Sequence, residues 1–224
     1  MFMPLLDAID IQGKDITADA LLTQRKLATY LLRRQAHYHF TVKANQPTLQ
    51  ADIALLFATR QTPDFVAVSP PDHGRIETRR IWCSTALNAH LDFPQVGQVF
   101  LIERESICKK DGKLTRDVAL GITSRPPAQA DPQRVLATNR GHWAIENRCH
   151  YVIDWNFAED RCRIRAGHGP ENVTRLRRFA VGVIQFISHG KISVTQKMHQ
   201  LHRNTRLVFD YLRMTNNSTR PCLP

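Results

Sequence analysis

The chain has 224 residues, 42% apolar and 23% charged, enough to bury a sizeable core and too ordinary in composition for wholesale disorder. No apolar run approaches a membrane span, and the start, Met1-Phe2-Met3-Pro4-Leu5-Leu6-Asp7, lacks the basic flank and apolar stretch of a signal peptide, so neither secretion nor membrane insertion is expected. Lys plus Arg number 31 against 20 Asp plus Glu, a net charge of +11 that points towards phosphate, while five cysteines without a C-x-x-C spacing read as reduced thiols rather than a disulfide frame or zinc ribbon.

In chain order, Ile11–Ala20 reads as a short strand ending at Asp19. Leu27, Ala28, Leu31 and Leu32 then share one helical face, with Arg25, Lys26, Thr29, Arg33 and Arg34 on the other. His37–Lys43 alternates, Tyr38, Phe40 and Val42 against His39 and Thr41, as a strand does. Pro47 suits the first turn of a helix running to about Ala58. Strand, helix, strand, helix over 1–62 is an α/β signature.

From Pro63 the texture turns to β. Ile76–Trp82, Val96–Glu105 and Leu114–Ser124 read as an antiparallel meander with a polar turn at Lys109-Lys110-Asp111-Gly112, so 63–125 is expected to be a β-rich insertion and not a separate domain. Helices return over 126–205. Asp131 is the expected N-cap of a helix that starts at Pro132 and runs through Trp143 and Glu146 towards Val152. Gly169-Pro170 opens another, with Val173, Leu176, Ala180, Val183, Ile184 and Ile187 at steps of three and four. Residues 206–224, rich in Arg, Asn and Thr, are expected to be a flexible tail.

Several residues can carry chemistry. Asp19 ends a strand, where ligands gather in open α/β sheets, although taken alone an acid at this position reads first as the N-cap of the helix that follows. Glu146 has His142 and His150 one helical turn to either side, a spacing that does not match the zinc helix H-E-x-x-H. Two carboxylates from distant segments hold a divalent cation only where the fold brings them together, and hard oxygen ligands suit magnesium. Arg161, Arg163 and Arg165 alternate and, if extended, point to one side; Arg175 and Arg178 continue the charge onto the next helix. Lys43 and Asn45, just past a strand end, are a second place for phosphate, or ordinary turn residues.

Taken in order, Ile16-Thr17-Ala18-Asp19-Ala20 with Gln24, Lys43-Ala44-Asn45-Gln46, His73–Arg79, His142-Trp143-Ala144-Ile145-Glu146-Asn147, Phe157-Ala158-Glu159-Asp160, Arg163-Ile164-Arg165 and Pro170-Glu171-Asn172 resemble DDE transposases of bacterial insertion sequences, in the branch of the ISAs type and the H-repeat-associated proteins. The resemblance covers roughly residues 5–205. It implies an RNase H-like catalytic core, here N-terminally truncated, with the β-rich insertion before the last catalytic helices. It implies that Asp19 and Glu146 are the second and third acids of a trio that binds Mg2+ or Mn2+, and that transposon-end and target DNA are the partners. The family's first aspartate lies on an earlier strand, and only 18 residues precede Asp19. The expectation is a cytoplasmic, nucleoid-associated transposase fragment, inactive by itself, forming a homo-oligomer or a mixed oligomer with the full-length transposase. Two alternatives stand beside it: a non-enzymatic basic DNA-binding protein that modulates the parent transposase, and a stand-alone metal nuclease that recruits Asp7 or Asp10.

Overall fold

The computed structural model describes residues 3–70, 74–145, 151–188 and 192–215, and of 143–145 only the backbone. The chain divides into two compact units, Met1–Trp143 and Ala144–Pro224.

The first unit is a mixed α/β structure. A short helix α1 (Met3–Asp7) precedes strand β1 (Asp15–Ala18), helix α2 (Arg25–Arg33), strand β2 (His37–Val42) and helix α3 (Pro47–Phe57). Strands β3 (Phe65–Val68), β4 (Arg75–Ser84), β5 (Gln98–Cys108) and β6 (Leu114–Thr123) follow, then helix α4 (Pro132–Ile145). All six strands form one sheet in the order β1-β2-β6-β5-β4-β3. β1 and β2 are parallel, with Asp15 opposite His37 and Ala18 opposite Phe40; every other pairing is antiparallel. The expected meander is present as β4-β5-β6, and β6 joins it to β2, so the β-rich stretch extends the same sheet.

Why these segments adopt these forms is mostly periodicity. On α2, Leu27, Ala28 and Leu31 are buried while Arg25, Lys26 and Arg33 face out. On α3, Pro47 occupies the first turn, and Leu49, Ile53 and Phe57, each four residues apart, form the buried stripe. These side chains pack with Tyr38, Phe40, Val42, Val99 and Ile122 on one face of the sheet. Ile81, Phe100 and Ile102 pack with Ala130, Val135 and Leu136, next to and within α4, as a second core. Helices thus cover both faces, and each fully buried Leu, Ile or Phe contributes about 1.5–3 kcal/mol.

One boundary and one strand differ from those read in sequence. β1 begins only at Asp15, because Gly13 adopts φ +68 and Ile11–Lys14 makes a turn that buries Ile11. β3 was not expected; it is a short edge strand with Val66 and Val68 turned outward. The start of α4 is as read, with the Asp131 carboxylate accepting from Arg134 N at 2.7 Å; the stretch 146–150 of the expected longer helix lies outside the described residues.

The second unit holds helices α5 (Tyr151–Phe157), α6 (Gly169–Ser188), α7 (Val194–Arg203) and α8 (Arg206–Tyr211). On α6 the buried positions are Val181 and Ile184; Leu176, assigned to the apolar face by its spacing, is 66% exposed. Ser193 caps α7 in a capping box with Gln196. The expected flexible tail is also corrected at its start. Residues Arg206–Tyr211 are helical, and Lys197 Nζ donates to the Tyr211 hydroxyl at 2.9 Å while lying over its ring.

Candidate active site at the ends of the parallel strands

Two parallel neighbours end side by side, and the residues just past their ends meet. Residues alternate across a strand, so Asp15 and Thr17 of β1, and His37, His39 and Thr41 of β2, face away from the core that holds Ala18, Tyr38, Phe40 and Val42. Asp19 and Lys43 are the next members of those two series. The backbone of Asp19 is extended, φ −73 and ψ 166, which keeps the alternation going one residue beyond the strand.

The two connecting turns are tied together. Asp19 Oδ1 accepts from the Ala20 amide at 2.7 Å, capping the short 3-10 turn Ala20–Leu22, and from Lys43 Nζ at 3.2 Å. Asn45 Nδ2 donates to the Ala20 carbonyl at 2.5 Å, and Gln46 Nε2 to the Thr23 carbonyl at 3.0 Å. The buried Thr23 hydroxyl donates to the Thr41 carbonyl at 2.6 Å. Asp19 is therefore both a cap and a strand-end acid. Its side chain is 59% exposed, and among the described residues Oδ2 accepts no hydrogen bond. The Ala20 amide above all holds its carboxyl below the usual carboxylate range; burial opposes it, and Lys43 and then His142 add to the lowering. It is ionised at neutral pH, and among the described residues only its Oδ1 is hydrogen-bonded.

Below this acid the same face is polar. His142 Nδ1 of α4 and the Thr17 hydroxyl share a hydrogen bond of 3.0 Å. One turn earlier, Asn139 Nδ2 lies 3.4 Å from His39 Nε2, and the buried His39 ring stacks on Phe100 with centroids 4.6 Å apart. At the far end of β1, Asp15 is held by Arg125, and by Arg134 at 3.3 Å. Sequence spacing did not reveal these contacts, since each joins residues roughly a hundred positions apart.

The structure thus brings Asp19, Lys43 and Asn45 together, whereas Glu146 lies outside the described residues. The arginines read as a basic patch are exposed and belong to the second unit. Arg161 closes a 3-10 turn, Glu159–Arg161, so the three alternating arginines are not one extended run; Arg163 and Arg165 follow it without regular structure. Arg175 and Arg178 stand on α6, where Arg175 pairs with Glu171 at 2.5 Å. Among the described residues no three of His, Cys, Asp and Glu converge on one point.

Residues 1–177 match a family model described as the transposase DDE domain. The chain is 27% identical over 206 residues to the "H repeat-associated putative transposase YhhI" of Escherichia coli (strain K12), covering 88% of this chain and 54% of that protein. It is 27% identical over 220 residues to the "Putative transposase YncI" of Escherichia coli O157:H7, covering 93% and 55%. The chain spans about half the length of these curated relatives.

Proposed function

This chain belongs to the DDE transposase family, in its H-repeat branch, and we propose that Asp19 and Glu146 are two of the three acids of a metal-dependent site for DNA strand cleavage and transfer on an RNase H-like core. The observation that carries this reading is the ionised, half-exposed Asp19 beside Lys43 at the ends of β1 and β2, inside the family match, which also contains Glu146. In this reading residues 1–62 and 126–205 belong to the core and 63–125 to the insertion.

The family implies a divalent cation, and the donor chemistry fits: the unbonded Oδ2 of Asp19 is a hard anionic oxygen of the kind Mg2+ and Mn2+ prefer. Asp19 and Glu146 would hold it. Bound there, it supplies Lewis acidity to the attacking hydroxyl and offsets charge on the leaving oxygen of a phosphodiester. Lys43 keeps a cation against Asp19 and is placed to take a DNA phosphate oxygen when that carboxylate turns to a metal. Asn45 and Gln46 hold the turn that presents it.

The first acid is not at hand in the segment before Asp19. Asp7 accepts from the Tyr30 hydroxyl at 2.5 Å, Asp10 from the Gln12 amide at 3.0 Å, and Asp15 sits at the opposite end of β1 between two arginines. This argues against recruitment of Asp7 or Asp10 in a stand-alone nuclease. We read the chain as inactive in strand transfer by itself, with the remaining acid supplied from outside these residues, in a mixed oligomer with the full-length transposase. The test is cleavage and joining of DNA carrying the element's ends, with Mg2+ or Mn2+. No turnover by the chain alone is expected; turnover that disappears in both Asp19→Asn and Glu146→Ala would keep the site and overturn the inactivity.

The exposed Arg161, Arg163, Arg165 and Arg178 favour a second reading that is compatible with the first, DNA binding without catalysis. Such a chain would modulate the parent transposase.

A further inference from the structure

Helix α4 meets the sheet chiefly through hydrocarbon. Val135 and Leu136 are buried against Ile81, Phe100 and Ile102. Apolar contact is non-directional and tolerates sliding of a helix along its own axis. Polar contacts add direction: Arg134 in the first turn reaches Asp15 of β1 at 3.3 Å, and in the last turns Asn139 faces His39 of β2 and His142 shares its hydrogen bond with Thr17 of β1. Asn139 and His142 are three apart and so project from one side of the helix. These contacts are directional, and they lock both the depth and the rotation of α4 against the two strands whose ends carry Asp19 and Lys43.

The choice of Thr17 as partner matters. It is two residues before Asp19 on the same face of β1, about 7 Å away along the strand. His142 is close enough to Asp19 for its charge to favour the carboxylate form. In the other direction, His142 is four residues before Glu146 in sequence. The tie therefore joins two segments that each lead directly to one of the acids: the strand that delivers Asp19 and the helix from which the chain continues to Glu146.

We infer that His142 is a positioning residue of the Asp19 site, acting through Thr17 to fix the end of α4 against β1. This rests on the reading of Asp19 as a metal-binding acid. Neither His142 nor Thr17 need touch metal or DNA for the tie to matter, because misplacing a ligand by a fraction of an ångström is enough to weaken a coordination site. Hydrogen-bonding partners that orient first ligands are worth about 10–100-fold in metal affinity.

The test is Mn2+ titration of the full 224-residue chain by calorimetry and electron paramagnetic resonance, with the urea midpoint measured for each variant. Asp19→Asn is the control for the site. His142→Ala is expected to raise the Mn2+ dissociation constant by about 10-fold. His142→Asn, whose amide reaches the position of Nδ1, is expected to recover most of that loss. Thr17→Val, which removes the hydroxyl at constant shape, should reproduce the alanine variant from the strand side, and it carries the test if His142→Ala does not fold. Identical Mn2+ binding by wild type and Asp19→Asn would remove the metal reading and the inference with it. A difference between those two, with His142→Ala and Thr17→Val matching wild type, would overturn the inference alone. So would equal weakening in His142→Ala and His142→Asn, since the ring and not the tie would then be responsible.

Discussion

His39 is a buried residue whose ionisation couples folding to pH in the acidic range. Its ring is buried between Phe100 and the end of α4, and burial pushes its pKa down to about 4, with Asp15 pulling weakly the other way. In the unfolded chain the same ring titrates near 6.5. Between those values the unfolded state takes up a proton that the folded state refuses. Stability from this residue is therefore complete above about pH 6.5, falls as pH is lowered, and is gone below about 4. A shift of that size corresponds to roughly 3 kcal/mol, with a slope of at most about 1.4 kcal/mol per pH unit. Urea unfolding of wild type and His39→Phe at pH 7 and pH 4.5 isolates the effect, since His37, also pushed down by burial, is present in both. A wild-type stability no more sensitive to pH than that of the phenylalanine variant would refute the assignment. At this scale the sequence was partly readable. Asp19 was visible as a strand-end acid, because a helical pattern follows a β pattern with an acid between them. The alternation placed His39 opposite Tyr38, Phe40 and Val42, but nothing in its own neighbourhood announces that α4 covers that face.

Among the elements, the contact between β2 and β5 across β6 depends on a missing side chain. Phe100 lies opposite Gly121, and Thr41 of β2 lies opposite the same glycine from the other side. With no Cβ at 121 the Phe100 ring lies flat over β6 and reaches His39; a Cβ built there would approach Phe100 Cζ to 2.1 Å. That distance is far inside van der Waals contact, and the carbonyl of Phe40 at 2.7 Å leaves no room on the other side. Gly121→Ala is expected to destabilise the first unit by about 1–3 kcal/mol, the usual range for overpacking, despite the gain in β propensity. Chemical denaturation measures it, and Phe100→Leu in the same chain should recover part of the loss by emptying the space. A neutral Gly121→Ala would mean that the ring does not lie over β6. The elements themselves were readable wherever periodicity was long: α2, α3, the meander and α6 lie close to their expected places. The misses have local physical causes. A left-handed glycine shortens β1, an edge strand of four residues gives too short a pattern, and α8 is stabilised by Lys197 and Tyr211 through contacts that its own composition does not show.

On the scale of the whole molecule the net charge of +11 is unevenly held. From residue 144 onward 13 Lys and Arg face only 6 Asp and Glu, so the second unit carries +7 of it. In the first unit the basic side chains are extensively neutralised: Arg25 by Asp92, Arg80 by Glu103 and Glu105, Arg104 by Asp117, Arg125 by Asp15. In the second, Arg175 pairs with Glu171 and Arg177 with Glu159, while Arg161, Arg163 and Arg178 form no ion pair among the described residues. An unpaired surface arginine offers its full charge to phosphate, whereas a paired one must first give up its carboxylate. Total charge was readable from composition, but its division into neutralised and available cations was not, because pairing is set by the fold. The expected consequence is a graded salt dependence of DNA binding. Gel-shift titrations between 50 and 200 mM salt with duplex DNA should show a steep log–log slope that falls by about 0.9 for each phosphate contact removed. Replacing Arg161, Arg163 and Arg178 by Gln should flatten it by up to about 3 and weaken binding to all sequences alike. The matching triple substitution at Arg25, Arg80 and Arg104, whose charges are already paired, should leave the slope nearly unchanged. If the two triple variants flatten the slope equally, ion pairing does not decide which arginines meet DNA, and the second unit loses its claim to the phosphate contacts.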